Sequence, residues 1–140
     1  MATLANPPAP AVPPSVWAGR LLTGLFALFM LGASIVPKFL GIGGAEEIMI
    51  QLGWSPDYIL MIGGFELGFL LLYLYPRTSV LGAVLMTALL GGAMATHIRV
   101  GSPLFSHTLF SIYLALFMWG GLWLRSPRLR ALMPLASVKD

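Results

Sequence analysis

Four long apolar runs, separated by polar connections, dominate the hydropathy pattern of the chain. At about 1.5 Å of rise per residue, a helical run of such length crosses the roughly 30 Å hydrocarbon core of a bilayer. The pattern therefore predicts four membrane-spanning helices. They cover residues 16–36, 57–75, 79–98 and 104–124.

The connections between the last three runs are so short that they can form only tight turns, at Pro76–Arg77 and across 99–103. Helices joined in this way lie side by side and run antiparallel. We therefore expect an all-α integral membrane protein, an up-down four-transmembrane-helix bundle over residues 16–125. Two tails flank it, a Pro-rich disordered tail at 1–15 and a basic tail at 126–140.

The longest connection joins the first two runs. Pro37 predicts the end of the first helix, because its ring removes a backbone donor and clashes with the preceding turn. Residues 44–52 combine apolar and acidic positions and predict a short interfacial helix that ends at Gly53. The second span then begins with a hydroxyl cap at Ser55 and a proline at the first helical position, Pro56.

Composition supports the bilayer as the solvent of this chain. Hydrophobic residues make up 58% of it and charged residues 9%, whereas soluble domains are about one quarter charged. The Lys and Arg residues lie near the ends of the runs, which indicates membrane topology and argues against nucleic-acid binding. Because the chain has no Cys, dithiol redox chemistry is excluded, and electron transfer would need a bound cofactor.

Basic residues are divided unequally between the two faces, six against two. This bias predicts a multi-pass protein of the cell inner (plasma) membrane with both termini in the cytoplasm (N-in/C-in). Tyr73 and Trp123 are expected in the aromatic belt of the cytoplasmic face. The basic residues of that face are Arg20, Arg77, Arg125, Arg128, Arg130 and Lys139, and those of the outer face are Lys38 and Arg99.

Glu66 is the single charged residue of the apolar run 58–75. A central acid costs roughly 2.5–3.5 kcal/mol on membrane-insertion scales, which a four-helix bundle tolerates. It is either a protonated, hydrogen-bonded structural residue or a carboxyl that handles protons or binds a ligand. Helical rise places Thr87 and Tyr113 at about the same depth, and Thr87 is the expected hydroxyl partner.

The other polar residues of the spans gather at the outer end. His97 and Glu66 differ by roughly 10 Å along the bundle axis on straight helices, so we expect no direct contact between them. Two histidines alone make a weak metal site, and we expect no metal. The expected catalytic residues are Glu66 and His97, and the expected ligand-binding residues of an outer-half pocket are Lys38, Thr87, Arg99 and His107.

Small residues recur at the spacing that permits close helix packing in lipid. We interpret them as contacts inside the bundle, with a homodimer face as the alternative. They are Gly64 and Gly68, Ala88 and Gly92, and Gly120 and Gly121.

Three short motifs, PKFLG, GGFELGFLLLYLYPRT and GGAMATHIRVG, resemble the pattern of the DoxX-like membrane proteins over most of residues 18–125. In that pattern a Lys follows the first helix, a Glu-Leu pair lies in the second, and a His lies near the end of the third. The matching positions are Lys38, Glu66 and His97. The resemblance implies a four-helix fold and an association with membrane redox chemistry, as in the small subunits of a thiosulfate:quinone oxidoreductase.

Three classes of function remain open at this stage. The leading hypothesis is a small membrane subunit of a quinone-linked oxidoreductase system, in which Glu66 and His97 deliver protons while a partner redox subunit supplies electrons. The second is a proton-coupled small exporter that works as a dimer. The third is a non-catalytic assembly subunit of a membrane complex.

Overall fold

A computed structural model describes residues 11–133, and every regular element in that range is helical. Four helices are long and apolar enough to cross a bilayer, which confirms the predicted all-α four-helix membrane bundle. They are α1 (Pro14–Leu40), α3 (Pro56–Leu74), α4 (Ser79–Arg99) and α5 (Leu104–Arg125). Two short helices complete the chain, α2 (Ala45–Gln51) after α1 and α6 (Pro127–Leu132) after α5.

Much of both predicted tails, residues 1–10 and 134–140, lies outside the described residues, and so does Lys139. Within the described residues, helix begins already at Pro14, and part of the basic tail is the helix α6. The cytoplasmic placement of both termini stays a prediction.

The four long helices form a closed ring. The most extensive contact is between the first half of α1 and α5, and the second half of α1 packs on α3. Helix α4 lies between α3 and α5. Gly19 near the start of α1 meets Arg125 at the end of α5, so these two helices run antiparallel. We call the end of the bundle that carries α2 the α2 end, and the opposite end the α6 end.

Large buried side chains form the core of the bundle. Tyr73 is buried completely, so its expected place in an aromatic belt is wrong. Between 28% and 33% of each spanning window lies inside the protein, and lipid is therefore needed to cover the remaining apolar surface. The largest fully buried side chains are those of Phe26, Leu70, Tyr73, Met86, Met118 and Leu122.

Glycines set the closest helix contacts, but mostly not the glycines that the spacing indicated. A Cβ atom on Gly82 would collide with the backbone nitrogen of Tyr73, so α3 and α4 touch at this point. Gly121 lies against Thr23 and Gly19, as its spacing predicted. By contrast, a Cβ on three of the expected packing residues would meet nothing within 4 Å, so these residues face away from the bundle. They are Gly64, Gly68 and Gly92.

Helix α1 does not end at Pro37, as the sequence predicted, but continues to Leu40. The segment Met30–Ile35 just before the proline is π-helical. A π turn widens the helix and changes which carbonyls need a donor, so it can accommodate a residue that has no N–H. Helix α1 ends at Gly41, which adopts the left-handed conformation (φ 64°) that favours glycine at a helix C-terminus.

Candidate functional site

Lys38 and Glu66 form an ion pair inside the bundle. The Lys38 Nζ atom lies 3.1 Å from Glu66 Oε1 and 3.0 Å from Oε2, so the ammonium contacts both carboxylate oxygens. The two side chains are 16% and 10% exposed. The pair has no net charge, which makes it far less costly in an apolar bundle than either ion alone.

Ser34 completes the hydrogen bonding of this pair. Its hydroxyl donates to Glu66 Oε1 over 3.0 Å and accepts from Lys38 Nζ over 2.6 Å. The ammonium also donates to the Ser34 carbonyl oxygen over 3.2 Å. Each polar group of the three residues therefore has a partner, and we refer to Ser34, Lys38 and Glu66 as the ion-pair cluster.

Two local features of the fold bring the cluster together. Because α1 remains helical through Pro37, Lys38 lies one turn beyond Ser34 and its side chain folds back over the Ser34 carbonyl. Gly63, one turn before Glu66 on α3, allows the approach of α1. A Cβ atom on Gly63 would lie 3.4 Å from Lys38 Cβ and 3.3 Å from Phe39 Cε2.

The geometry of the cluster is compatible with proton exchange. An ammonium, a hydroxyl and a carboxylate within hydrogen-bond distance allow a proton to move from Lys38 to Glu66, directly or through Ser34. Such a transfer would convert the ion pair into a neutral pair. Since neither state carries net charge, the apolar surroundings do not forbid the exchange.

Thr87 is not the hydroxyl partner of Glu66 that depth alone suggested. Its Oγ1 atom donates to the Ala83 carbonyl oxygen over 2.7 Å and accepts from Trp119 Nε1 over 2.9 Å. Tyr113, at a similar depth, lines a groove between α1 and α5 and is 43% exposed. Counting residues along straight helices gives the depth of a side chain in the membrane but not the direction in which it points. It therefore cannot distinguish a side chain that faces inward from one that faces lipid.

His97 and His107 lie together at the α2 end, with ring centroids 5.8 Å apart. His97 Nδ1 lies 2.9 Å from the hydroxyl of Ser102, and His107 Nδ1 lies 2.8 Å from that of Ser106. Neither hydrogen bond connects the rings to the ion-pair cluster. The expectation that His97 and Glu66 do not touch agrees with these contacts.

Arg99 holds the α2 connection in place. Its guanidinium donates to the carbonyl oxygen of Leu52, just after α2, and lies against Gly53. This contact links the end of α4 to the segment that follows α2. The Arg99 guanidinium, which the sequence suggested for ligand binding, therefore already donates a hydrogen bond within the protein. Ligand binding by Arg99 and His107 stays a prediction.

Residues 11–133 contain no group of three or more His, Cys, Asp or Glu side chains that could hold a metal ion. Two grooves, of about 440 and 400 Å³, lie between α4 and α5 and between α1 and α5. Neither is lined by Glu66. An outer-half pocket above Glu66 stays a prediction.

The sequence reasoning missed Ser34, Gly63 and the buried role of Tyr73. Ser34 precedes Lys38 by four residues, the spacing at which two helical side chains meet, and this signal was hidden by the expected helix end at Pro37. Gly63 precedes Glu66 by three residues, which places it on the same helix face.

Comparison with known proteins supports the resemblance described above. The model of the DoxX-like family matches residues 21–121, a range that contains the whole ion-pair cluster, His97 and His107. No curated protein and no solved structure matches the chain.

Proposed function

The chain belongs to the DoxX-like family, and from this premise we propose that it is a small membrane subunit of a quinone-linked oxidoreductase system. In this proposal the ion-pair cluster transfers protons, and a partner redox subunit supplies the electrons. The chain is a multi-pass membrane protein of this family.

The observation that carries the proposal is the complete hydrogen-bonding of Ser34, Lys38 and Glu66 inside a bundle that is otherwise apolar. The Lys38 ammonium contacts both oxygens of the carboxylate, and the Ser34 hydroxyl connects the two groups. The proton of the cluster lies on Lys38, within hydrogen-bond distance of two acceptors, and this supports a role in proton transfer.

Quinone chemistry requires protons at the membrane, because a quinone that accepts two electrons also takes up two protons. The cluster would deliver a proton from Lys38, which is the more exposed of the pair, and would be reprotonated from the α2 end. The chain has no Cys, so it would not supply the electrons through a dithiol. His97 and His107 would serve as proton acceptors nearer the surface.

The same geometry weighs against the exporter hypothesis. A cationic substrate would have to displace Lys38 from both oxygens of Glu66 and leave the ammonium without a partner in the bundle. That displacement removes one half of a buried ion pair, which is strongly unfavourable.

The test compares quinone reduction by membranes of a strain that lacks this chain, complemented with variants of it. We expect Glu66→Gln to lower the rate by about 100-fold, the lower range for loss of a general acid or base. Glu47→Gln is the matched control, because Glu47 lies in α2 outside the bundle. We expect it to retain the full rate. Immunoblots normalise each rate to the amount of protein in the membrane.

A loss of rate could also follow from misfolding, so the Lys38→Met/Glu66→Gln double variant is included. It removes both charges and is expected to be as abundant as wild type but still inactive. Quinone reduction at the wild-type rate in the strain without the chain, or in abundant Glu66→Gln, would refute the proposal.

A second candidate, the assembly subunit, is favoured by the glycines that face lipid. Gly64 and Gly92 have no neighbour within 4 Å of a would-be Cβ atom, so a partner helix could approach either one closely. If this is the function, Gly64→Leu or Gly92→Leu should abolish co-purification of partner chains in mild detergent. Unchanged co-purification of partner chains with both variants would contradict it.

A further inference from the structure

Charge is distributed unequally between the two ends of the bundle. Within residues 11–133 every acidic side chain lies on α2, at the start of α3 or in the ion-pair cluster, and none lies at the α6 end. The α6 end carries arginines instead, and none of them forms a salt bridge among the described residues. The positive charge of this end therefore has no counter-charge within residues 11–133. These arginines are Arg20, Arg77, Arg125, Arg128 and Arg130.

Three of these arginines lie over aromatic rings. A ring below the face of a guanidinium fixes the position of the group and leaves its in-plane N–H donors to an anion. Arg125 also has a buried Nε atom without a hydrogen-bond partner among the described residues, so its charge gains from an anion nearby. The three pairs are Arg20 with Trp17 at 5.2 Å, Arg125 with Tyr73 at 5.2 Å and Arg130 with Trp123 at 6.0 Å from the ring centroid.

Helix α6 combines arginines with exposed apolar side chains. It begins two residues after the spanning helix α5 ends, at the level where the chain leaves the hydrocarbon core. Leu129 anchors α6 in the protein at 5% exposure, and the Ser126 hydroxyl caps it. Leu132 is 80% exposed and Met133 is 54% exposed, so both need acyl chains to cover them. A short helix of this kind lies in the membrane interface.

The partner that fits this surface is a lipid with net negative charge. A zwitterionic headgroup brings its own cation and cannot neutralise the arginines, and a free anion cannot cover Leu132. We propose that the α6 end binds the headgroup phosphates of anionic phospholipids, with Arg128 and Arg130 at the phosphate and Leu132 among the acyl chains. The inference does not depend on the proposed function.

Trp123 can report binding, because the Arg130 guanidinium lies over its ring. Two single-tryptophan versions of the full chain, with Phe at the other Trp positions, keep Trp123 or keep Trp54, which follows α2. Both are placed in vesicles of phosphatidylglycerol and phosphatidylcholine in equal amounts, in which one lipid at a time carries acyl-chain bromine that quenches indole fluorescence. At low salt we expect phosphatidylglycerol to bind beside Trp123 about 25-fold more tightly, about fivefold for each contacting arginine, and Trp54 to show no preference.

Charge variants locate the site. Arg128→Gln, at an exposed position, should lower the preference at Trp123 about fivefold, and Arg128→Gln/Arg130→Gln should remove it. Arg128→Lys/Arg130→Lys keeps the charge and should retain most of the preference. Glu46→Gln/Glu47→Gln is the control, because it makes the α2 end more positive and should leave the preference at Trp123 unchanged. Circular dichroism of each variant verifies its helix content.

Three outcomes would overturn the inference. An equal preference at Trp54 would indicate general attraction of anionic lipid to a basic protein. A preference at Trp123 that survives Arg128→Gln/Arg130→Gln would indicate that α6 does not hold the lipid. Displacement of the lipid by inorganic phosphate, beyond the effect of chloride at the same ionic strength, would indicate a site for the free anion. Because no measurement involves a quinone, failure of the proposed function would leave the result unchanged.

Discussion

The two halves of the bundle bury polar groups in different ways. In the α2 half the buried charged group is an ion pair, Lys38 and Glu66, bridged by Ser34. At the α6 end the phenol of Tyr73 is buried, and it donates to the Met118 carbonyl oxygen over 2.9 Å and lies 3.2 Å from Thr23 Oγ1. The first consists of two ionisable groups of opposite charge, whereas the second is a neutral group that connects helices.

The backbone differs between the halves as well. Both π-helical segments, Met30–Ile35 and Leu104–Thr108, lie in the α2 half. All five glycines with positive φ in the described chain lie at the α2 end too, in its connections: Gly41, Gly43, Gly44, Gly53 and Gly101. The α6 half consists of regular helices held by Gly19, Gly82 and Gly121. Irregular backbone of this kind is common at functional sites, and close regular packing is what stabilises a membrane bundle.

The largest expected effect lies in the α6 half. Gly82→Val would place side-chain atoms on the backbone of Leu72 and Tyr73 and force α3 away from α4. We expect a loss of about 3 kcal/mol or more, the upper range for overpacking, and little monodisperse protein. Gly92→Val, on the same helix but facing open space, is the control and should resemble wild type. Thermal unfolding in detergent measures both, and equal losses would contradict the division into halves.

The next effect is expected in the α2 half, and it is diagnostic of the ion pair. Lys38→Met and Glu66→Gln each leave one member of the pair without its partner and should each cost about 3 kcal/mol, the low end for a broken buried pair. The double variant should cost less than either single change, because a neutral pair of similar shape needs no counter-ion. Denaturant titration gives all three free energies of unfolding. Additive single effects would show that the two side chains act independently.

The smallest expected effect on the free energy of unfolding comes from removing the hydroxyl of Tyr73. Tyr73→Phe removes the hydrogen bond to Met118 and the contact with Thr23, and should cost about 1 kcal/mol, the net value of one hydrogen bond. The edge-to-face contact with Phe26 remains, since the ring is unchanged. Tyr75→Phe is the control, because Tyr75 is 56% exposed. A cost above that of Lys38→Met would mean that the α6 cluster, not the ion pair, is the more strongly coupled one.

Prediction from sequence succeeded for features that depend on neighbouring residues. The sequence predicts a short helix over 44–52 that ends at Gly53, and the structure has a helix at Ala45–Gln51 followed by Gly53 at φ 74°. Ser55 accepts from the Asp57 amide, as a hydroxyl cap should. These signals are local, since a cap or a left-handed glycine acts within one turn of chain.

Prediction failed where a contact joins distant residues. Thr87 was chosen as the partner of Glu66 because it has the correct depth, but it hydrogen-bonds to Trp119. Pro37 predicts a helix end, and this prediction hides the four-residue spacing of Ser34 and Lys38, which the continuous helix brings together. The spacing of Gly64 and Gly68 predicts that they pack inside the bundle, yet it is Gly63 that contacts α1. Which side of α3 faces α1 depends on the packing of all four helices, and the spacing does not report it.

By itself the sequence determined the solvent of this protein, the number of its spans and the one acid buried among them. It could do so because hydrophobicity and length act along the chain and need no partner. Only the tertiary structure decided which groups the acid contacts. The π turn that carries helix α1 past Pro37 and the approach over Gly63 give Glu66 the Lys38 ammonium, and neither can be inferred from a hydropathy pattern.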